Sequence, residues 1–215
     1  MTIRSLMADD SASRPGIGKR ARGGVKSGRR RARKDAHAAI ITAARDVLAE
    51  HGYEGLTIDQ VMARADLSRT IFYRHFEDRG GLLVALWTDF VSALTDAASD
   101  WLSGDPSASL EESLRANIEV FAAEADVFIA VCDEAPSDPE VRAAYEAGFW
   151  GFVDAIESRI RVLHPEIADP RGTAEVLVTI DERLWYRRFR SSTDRDVIDD
   201  TYRVTLDAWK AVLGE

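Results

Sequence analysis

Leu56–Phe76 reads LTIDQVMARADLSRTIFYRHF, and the fold turns on how this stretch is read. Thr57 stands where a helix N-cap is wanted, because its hydroxyl can accept a backbone N–H of the first turn. Ile58, Val61, Met62 and Ala65 then recur at helical spacing. Asp66 interrupts the pattern, and Asp tolerates a left-handed backbone better than most residues. Ser68 is placed to cap a second helix, whose buried face is Phe72 and Phe76. Two short helices joined by a tight turn fit a helix-turn-helix, a motif whose second helix lies in the DNA major groove. Two helices and a turn also occur in many proteins that never touch DNA, so the flanking sequence carries the decision.

Upstream, Lys34–His51 reads as a helix with Ile40, Ala44, Val47 and Leu48 on its apolar stripe and Gly52 as its stop. Downstream, Asp78–Leu102 reads as one long helix striped by Leu82, Leu83, Leu86, Trp87, Phe90, Leu94 and Trp101. Asp78 can cap it, and Gly80 and Gly81 loosen its first turn. Helical patterns continue over Ser109–Glu124, Val127–Cys132, Asp138–Leu163, Arg171–Arg190 and Asp194–Leu213. Asp138 is the expected cap of its helix, with Pro139 at the first position. No strand alternation of any length and no internal repeat is present. The expected architecture is all-α with about nine helices. A disordered basic arm at 1–32 precedes a three-helix DNA-binding domain at 33–80, and an effector-binding and dimerisation domain follows at 81–215.

With 46% hydrophobic and 30% charged residues in 215, the composition is that of a soluble globular protein. No apolar run approaches the roughly 18 residues needed to cross a bilayer. The basic N-terminus lacks the apolar core of a secretory signal. The lone cysteine, Cys132, allows no internal disulfide and fits a reducing cytoplasm; within VFIAVC it reads as a small core residue. The net charge of −9 looks wrong for a DNA binder, but residues 1–34 hold 11 Lys and Arg against 2 Asp, a net of +9. Asp35–Gly80 holds 5 Arg against 8 acids. Positive charge is therefore concentrated in the arm, most densely in Gly28–Lys34 (GRRRARK), where Arg31, Arg33 and Lys34 are candidate DNA-backbone contacts. Val25 before Lys26-Ser27 excludes a phosphate-binding loop, which needs glycine there. The four histidines are scattered and none lies in a metal-ligand spacing. No base, nucleophile and orienting group fall together. Neither catalysis nor a cofactor nor a metal is expected.

The run AARDVLAEHGYEGLTIDQVMARADLSRTIFYRHF, followed by Leu82 and Leu83, resembles the tetracycline-repressor (TetR) family of bacterial regulators. The GY-x-x-x-T and S-x-x-x-F-Y-x-H-F spacings carry the resemblance. Two departures stand out: Asp66 replaces the usual turn glycine, and Asp78-Arg79-Gly80 replaces the usual Ser-Lys-Glu. The resemblance implies a repressor that binds palindromic operator DNA as a dimer and is released by a small, mostly hydrophobic effector. Thr57, Tyr73, His75 and Arg79 would meet phosphate. Ser68, Arg69, Thr70 and Ile71 would face the bases, Arg69 suiting guanine and Ile71 a thymine methyl. The last two helices would pair with their copies in a second subunit as a four-helix bundle, with Val197, Ile198, Thr201, Thr205, Trp209 and Val212 on one stripe. Such a dimer places two reading helices about 34 Å apart.

The second domain is rich in rings, which fill a core or line an apolar ligand cavity. Asp181 falls on the stripe of Leu177, Leu184 and Trp185, where a carboxylate is out of place and costly if unpaired. It either pairs with Arg183 or Arg187 or addresses a ligand with a donor or a cation, since an ionised carboxylate can only accept. Within the family, Asn117–Phe121, Pro139–Ile156 and Asp181-Glu182-Arg183 are similar in order to the mycobacterial ethionamide-resistance repressor. That likeness implies an elongated aromatic tunnel. Its candidate lining is Trp87, Asn117, Phe121, Tyr145, Gly148, Phe149, Phe152, Asp181 and Trp185, around a space of about 300 Å³ or more. The acidic head leaves a second reading open, a helical small-molecule-binding protein with little DNA affinity.

Overall fold

The computed structural model describes residues 23–104 and 109–214, with the backbone alone over 23–32. The described residues form ten helices and no strand. Helix α1 (Gly23–Gly55) begins eleven residues before the expected Lys34, so 23–32, placed in a disordered arm by composition, is helical. Residues 1–22 lie outside the described residues. The expected stop at Gly52 is real: its φ of 64° and ψ of −173° break the helical path.

Helix α2 (Ile58–Arg64) starts where Thr57 accepts the Gln60 N–H at 3.2 Å. Asp66 takes the left-handed turn conformation with φ of 52°. Helix α3 (Arg69–Phe72) is a single turn, anchored by Phe72 at 0% exposure. Ser68 occupies its cap position but makes no side-chain capping bond.

The long helix expected over Asp78–Leu102 is two. Helix α4 (Arg79–Ala97) starts at Asp78, which accepts the Gly81 N–H at 2.9 Å, and α5 (Ser99–Ser103) follows a break at Ala98. Gly80 is buried because a Cβ there would stand 2.5 Å from the Asp138 Oδ2. That glycine therefore allows a close approach between the start of α4 and the start of α8, a tighter role than loosening a turn. Helices α6 (Leu110–Ala123), α7 (Ala125–Glu134), α8 (Pro139–Leu163), α9 (Pro170–Phe189) and α10 (Arg195–Leu213) complete the chain. Asp138 caps α8 through the Glu140 and Val141 N–H groups, with Pro139 at the first position.

One apolar core runs from Ile40, Phe72 and Phe76 in the head through Leu83 and Leu86 of α4 to Phe121, Phe128 and Trp185. The head is tied to the second domain by more than α4. Helix α1 packs on α7, and Arg45 of α1 meets Glu124 at 2.9 Å; at the start of α4 itself, Arg79 lies 4.2 Å over the Tyr53 ring of α1. A second core joins Trp101, Leu114, Ile156, Leu177 and Trp209 at the far end. Thr201, Thr205 and Trp209 are buried within the protomer. The stripe read on α10 is thus an internal face, except for Val212, which is 38% exposed while Leu213 is buried in its stead.

Candidate functional site

The DNA-facing candidates follow from the geometry of α3. One turn of helix pinned by Phe72 leaves Ser68, Arg69, Thr70 and Tyr73 exposed, and Ile71 half-buried against the core. Arg69 is held at 3.1 Å from Asp59 and donates to the Tyr73 hydroxyl at 3.3 Å. Its guanidinium is therefore pre-positioned beside Tyr73 but must leave Asp59 to reach a base. His75 sits edge-on to His37 at 5.6 Å between ring centroids. Burial, then the charges of His37, Arg33 and Arg74, hold its pKa below the ordinary histidine value. A neutral His75 still has one ring N–H to donate to a phosphate oxygen. Thr57 spends its hydroxyl on the cap of α2, and Arg79 lies on Tyr53. Arg33 and Lys34 are exposed on α1, and the Arg31 side chain lies outside the described residues.

The second site is a cavity where the two cores meet. Its walls come from α4 through α10, and all nine candidate residues named from the sequence line it. Its volume is about 110 Å³, smaller than the 300 Å³ expected. The rings explain the difference. The Trp87 indole closes over Gly148, 3.0 Å from where a Cβ would be. Phe121 packs on Phe128 at 4.5 Å and on Trp185 at 4.7 Å between centroids. Three of the lining indole N–H groups are engaged, Trp87 with the Ala144 carbonyl, Trp185 with Thr205 and Trp209 with Asp181, each at 2.9 Å.

Asp181 is the exception in this wall. It is buried and forms no ion pair with Arg183 or Arg187; both face solvent on another side of α9. One oxygen, Oδ2, accepts the Trp209 N–H, while Oδ1 is buried with no hydrogen-bond partner. Burial pushes its carboxyl well above the usual carboxylate range. Burial therefore favours the protonated form of the Asp181 carboxyl over the ionised one. Glu182, hydrogen-bonded by the Tyr145 hydroxyl, is also raised by burial. Burial and the Glu182 contact push the Tyr145 hydroxyl up in turn.

Tyr145 and Glu182 also border a more polar surface hollow of about 320 Å³, shared with Arg142, Glu146, Arg183 and Cys132. The composition of the sequence did not signal this hollow, since its residues come from three helices. Burial raises the Cys132 thiol well above its ordinary value, so it is an inert thiol.

Residues 40–86 match the family described as bacterial regulatory proteins, tetR family. The chain is 35% identical over 80 residues to the HTH-type transcriptional regulator BetI of Escherichia coli; the match covers 37% of this chain and 41% of that protein. Among solved structures, a TetR-family transcriptional regulator from Mesorhizobium loti aligns with a TM-score of 0.67 at 20% identity, covering 84% of this chain and 97% of that one. The fatty acid degradation regulator FadR from Bacillus halodurans aligns with a TM-score of 0.62 at 15% identity, covering 79% and 97%. The helix-turn-helix is thus matched in sequence and about four-fifths of the chain in fold: an all-helical, TetR-like architecture with an N-terminal helix-turn-helix head. No helix among the described residues is long and apolar enough to cross a membrane.

Proposed function

We propose that the chain is a tetR-family transcriptional regulator, a repressor that binds palindromic operator DNA as a homodimer and is released by a small, mostly hydrophobic effector. The observation that carries the reading is the continuity of one apolar core from the reading helix to the cavity. Phe72 and Phe76 share it with Trp87, Phe121 and Trp185. An effector that fits the cavity better in one arrangement of α4 and α7 than in another shifts the head by that difference in affinity. The dimer reading is supported by apolar side chains left exposed on the last two helices, Val176 and Ile180 on α9 and Val204 and Val212 on α10. The likeness of the effector domain to the ethionamide-resistance repressor rests on Asn117–Phe121, Pro139–Ile156 and Asp181-Glu182-Arg183, since the match to BetI covers 37% of the chain.

The test is a mobility shift on the DNA upstream of the chain's own gene, run across a salt series, with sedimentation to give the oligomeric state. A dimer should bind with sequence preference. Replacing Arg29, Arg30, Arg31, Arg33 and Lys34 by Gln should flatten the salt dependence by about 0.9 in log–log slope for each phosphate no longer neutralised, with base preference retained. A second reading is favoured by the head itself. Arg64 is paired with Glu50 and Arg69 with Asp59, so little positive charge is left over. Loss of all sequence preference with ligand binding intact would select that reading, a small-molecule-binding protein with little DNA affinity.

A further inference from the structure

Seven helices line the cavity, and their contributions are almost wholly apolar. The charged or titratable side chains facing it are Asp181 and Glu182 from α9 and Tyr145 from α8; no Lys, Arg or His joins them. Asp181 lines the cavity, accepts the Trp209 N–H on Oδ2, and buries Oδ1 without a hydrogen-bond partner. The rings of Trp87, Phe149, Phe152 and Trp185 line the same space as Asp181. A buried polar atom without a partner is a standing cost of about 1–3 kcal/mol in general, and a ligand that pairs with it relieves that cost.

Resting on the effector-site reading above, we propose that the cavity takes a lipophilic ammonium ion, its cation seated between Asp181 and the rings and its apolar body along the aromatic wall. Each part of the geometry selects this class. A carboxylate ligand would meet two carboxyls and no basic side chain. A neutral alcohol or amide would satisfy Oδ1 but leave the ring faces without the cation they attract. A cation gains both, and it gains them in a low-dielectric space where the attraction is stronger than in water. A bound ammonium favours the ionised form of Asp181, so a proton held by the carboxyl leaves to solvent and the pair is neutral overall. Glu182 and Tyr145, the other titratable groups on this wall, keep their mutual hydrogen bond at its polar end. The space is about 110 Å³, so the body must be slim, or Trp87 must swing off Gly148 to admit it.

Three molecules with one eight-carbon body separate the possibilities: octylammonium, 1-octanol and octanoate, each titrated calorimetrically into the full-length protein. Octylammonium should bind at least about tenfold more tightly than 1-octanol, with octanoate weakest. Calorimetry in buffers of different ionisation enthalpy should show net proton release on ammonium binding and none on 1-octanol binding. Asp181→Asn keeps an acceptor for Trp209 and should erase both the preference and the proton release while still binding 1-octanol. Glu182→Gln should keep the proton release and lose only part of the preference. Thermal melting checks that both variants are folded. Equal affinity for octylammonium and 1-octanol, or an ammonium preference unchanged in Asp181→Asn, would overturn the proposal while leaving an effector cavity standing. Failure of all three to bind would overturn the effector-site reading itself and this proposal with it.

Discussion

The head and the cavity wall treat their polar groups in opposite ways. In the head, several polar side chains that set the helices are answered close by. Thr57 caps Gln60 three residues on, Asp78 caps Gly81, and Arg69 is shared between Asp59 and Tyr73. In the cavity wall Asp181 is answered by Trp209, 28 residues later, on one oxygen only. These groups of the head are thus satisfied by near neighbours, whereas the cavity wall holds a buried oxygen that no side chain satisfies. Unfavourable burial of this kind costs stability and collects where ligands act.

The strongest way to break that contrast is to remove the head's anchor. Phe72→Ala deletes a fully buried ring beneath a four-residue helix and should cost about 3–5 kcal/mol in chemical denaturation. Because the same core reaches Trp185, the loss should show as one cooperative transition shifted as a whole. A separate early transition confined to the head would show that the two regions are uncoupled. Next in size is Asp181→Asn, which should stabilise the unliganded protein by about 1–3 kcal/mol at pH 8. The sign follows from the raised carboxyl. Its folded value lies above the ordinary 3.8, so the folded state binds the proton more tightly than the unfolded state. The wild type therefore loses stability as pH rises from about 3.8 through the folded value. The advantage of Asn should shrink as pH falls toward that lower limit, and an advantage independent of pH would sink the account.

Smaller effects sharpen the picture on the head's side. Thr57→Ala removes the cap of α2 and should cost about 1 kcal/mol, read as a lower melting temperature with the cavity's ligand affinity unchanged. Ile71→Ala is smaller again in stability, within about 1 kcal/mol, because the side chain is half-buried. Its larger effect should be on binding, as relaxed preference at one base pair in a competition assay against all four bases. A much earlier melt would make Ile71 a core residue instead of a reading one.

The same contrast explains which features could be read from sequence. Caps and turns are local, so Thr57, Asp66, Gly52 and Asp138 were legible from neighbours a few residues away, and so was the all-helical class. The break at Ala98 was not, since its backbone is right-handed with φ of −95° and no glycine or proline marks it. The start of α1 at Gly23 was hidden by a composition that favours disorder. The members of the cavity were legible from ring content and helical stripes, but the partner of Asp181 was not. Arg183 and Arg187 are neighbours in sequence, yet at about 100° per residue they leave the Asp181 face, and nothing local points to an indole 28 positions on. The narrowing of the space was equally illegible, because it depends on Trp87 meeting a glycine 61 residues later.

The distribution of indoles gives this protein a built-in optical readout. All five tryptophans lie from position 87 onward. Trp87, Trp101, Trp185 and Trp209 line the cavity and are each no more than 6% exposed, while Trp150 is 41% exposed. Excited at the red edge of the indole band, where tyrosine is dark, the emission reports the cavity domain and leaves the helix-turn-helix head silent. A ligand entering among these rings displaces no label and needs none, and its arrival can be followed in the same cuvette in which a dye-tagged operator reports release.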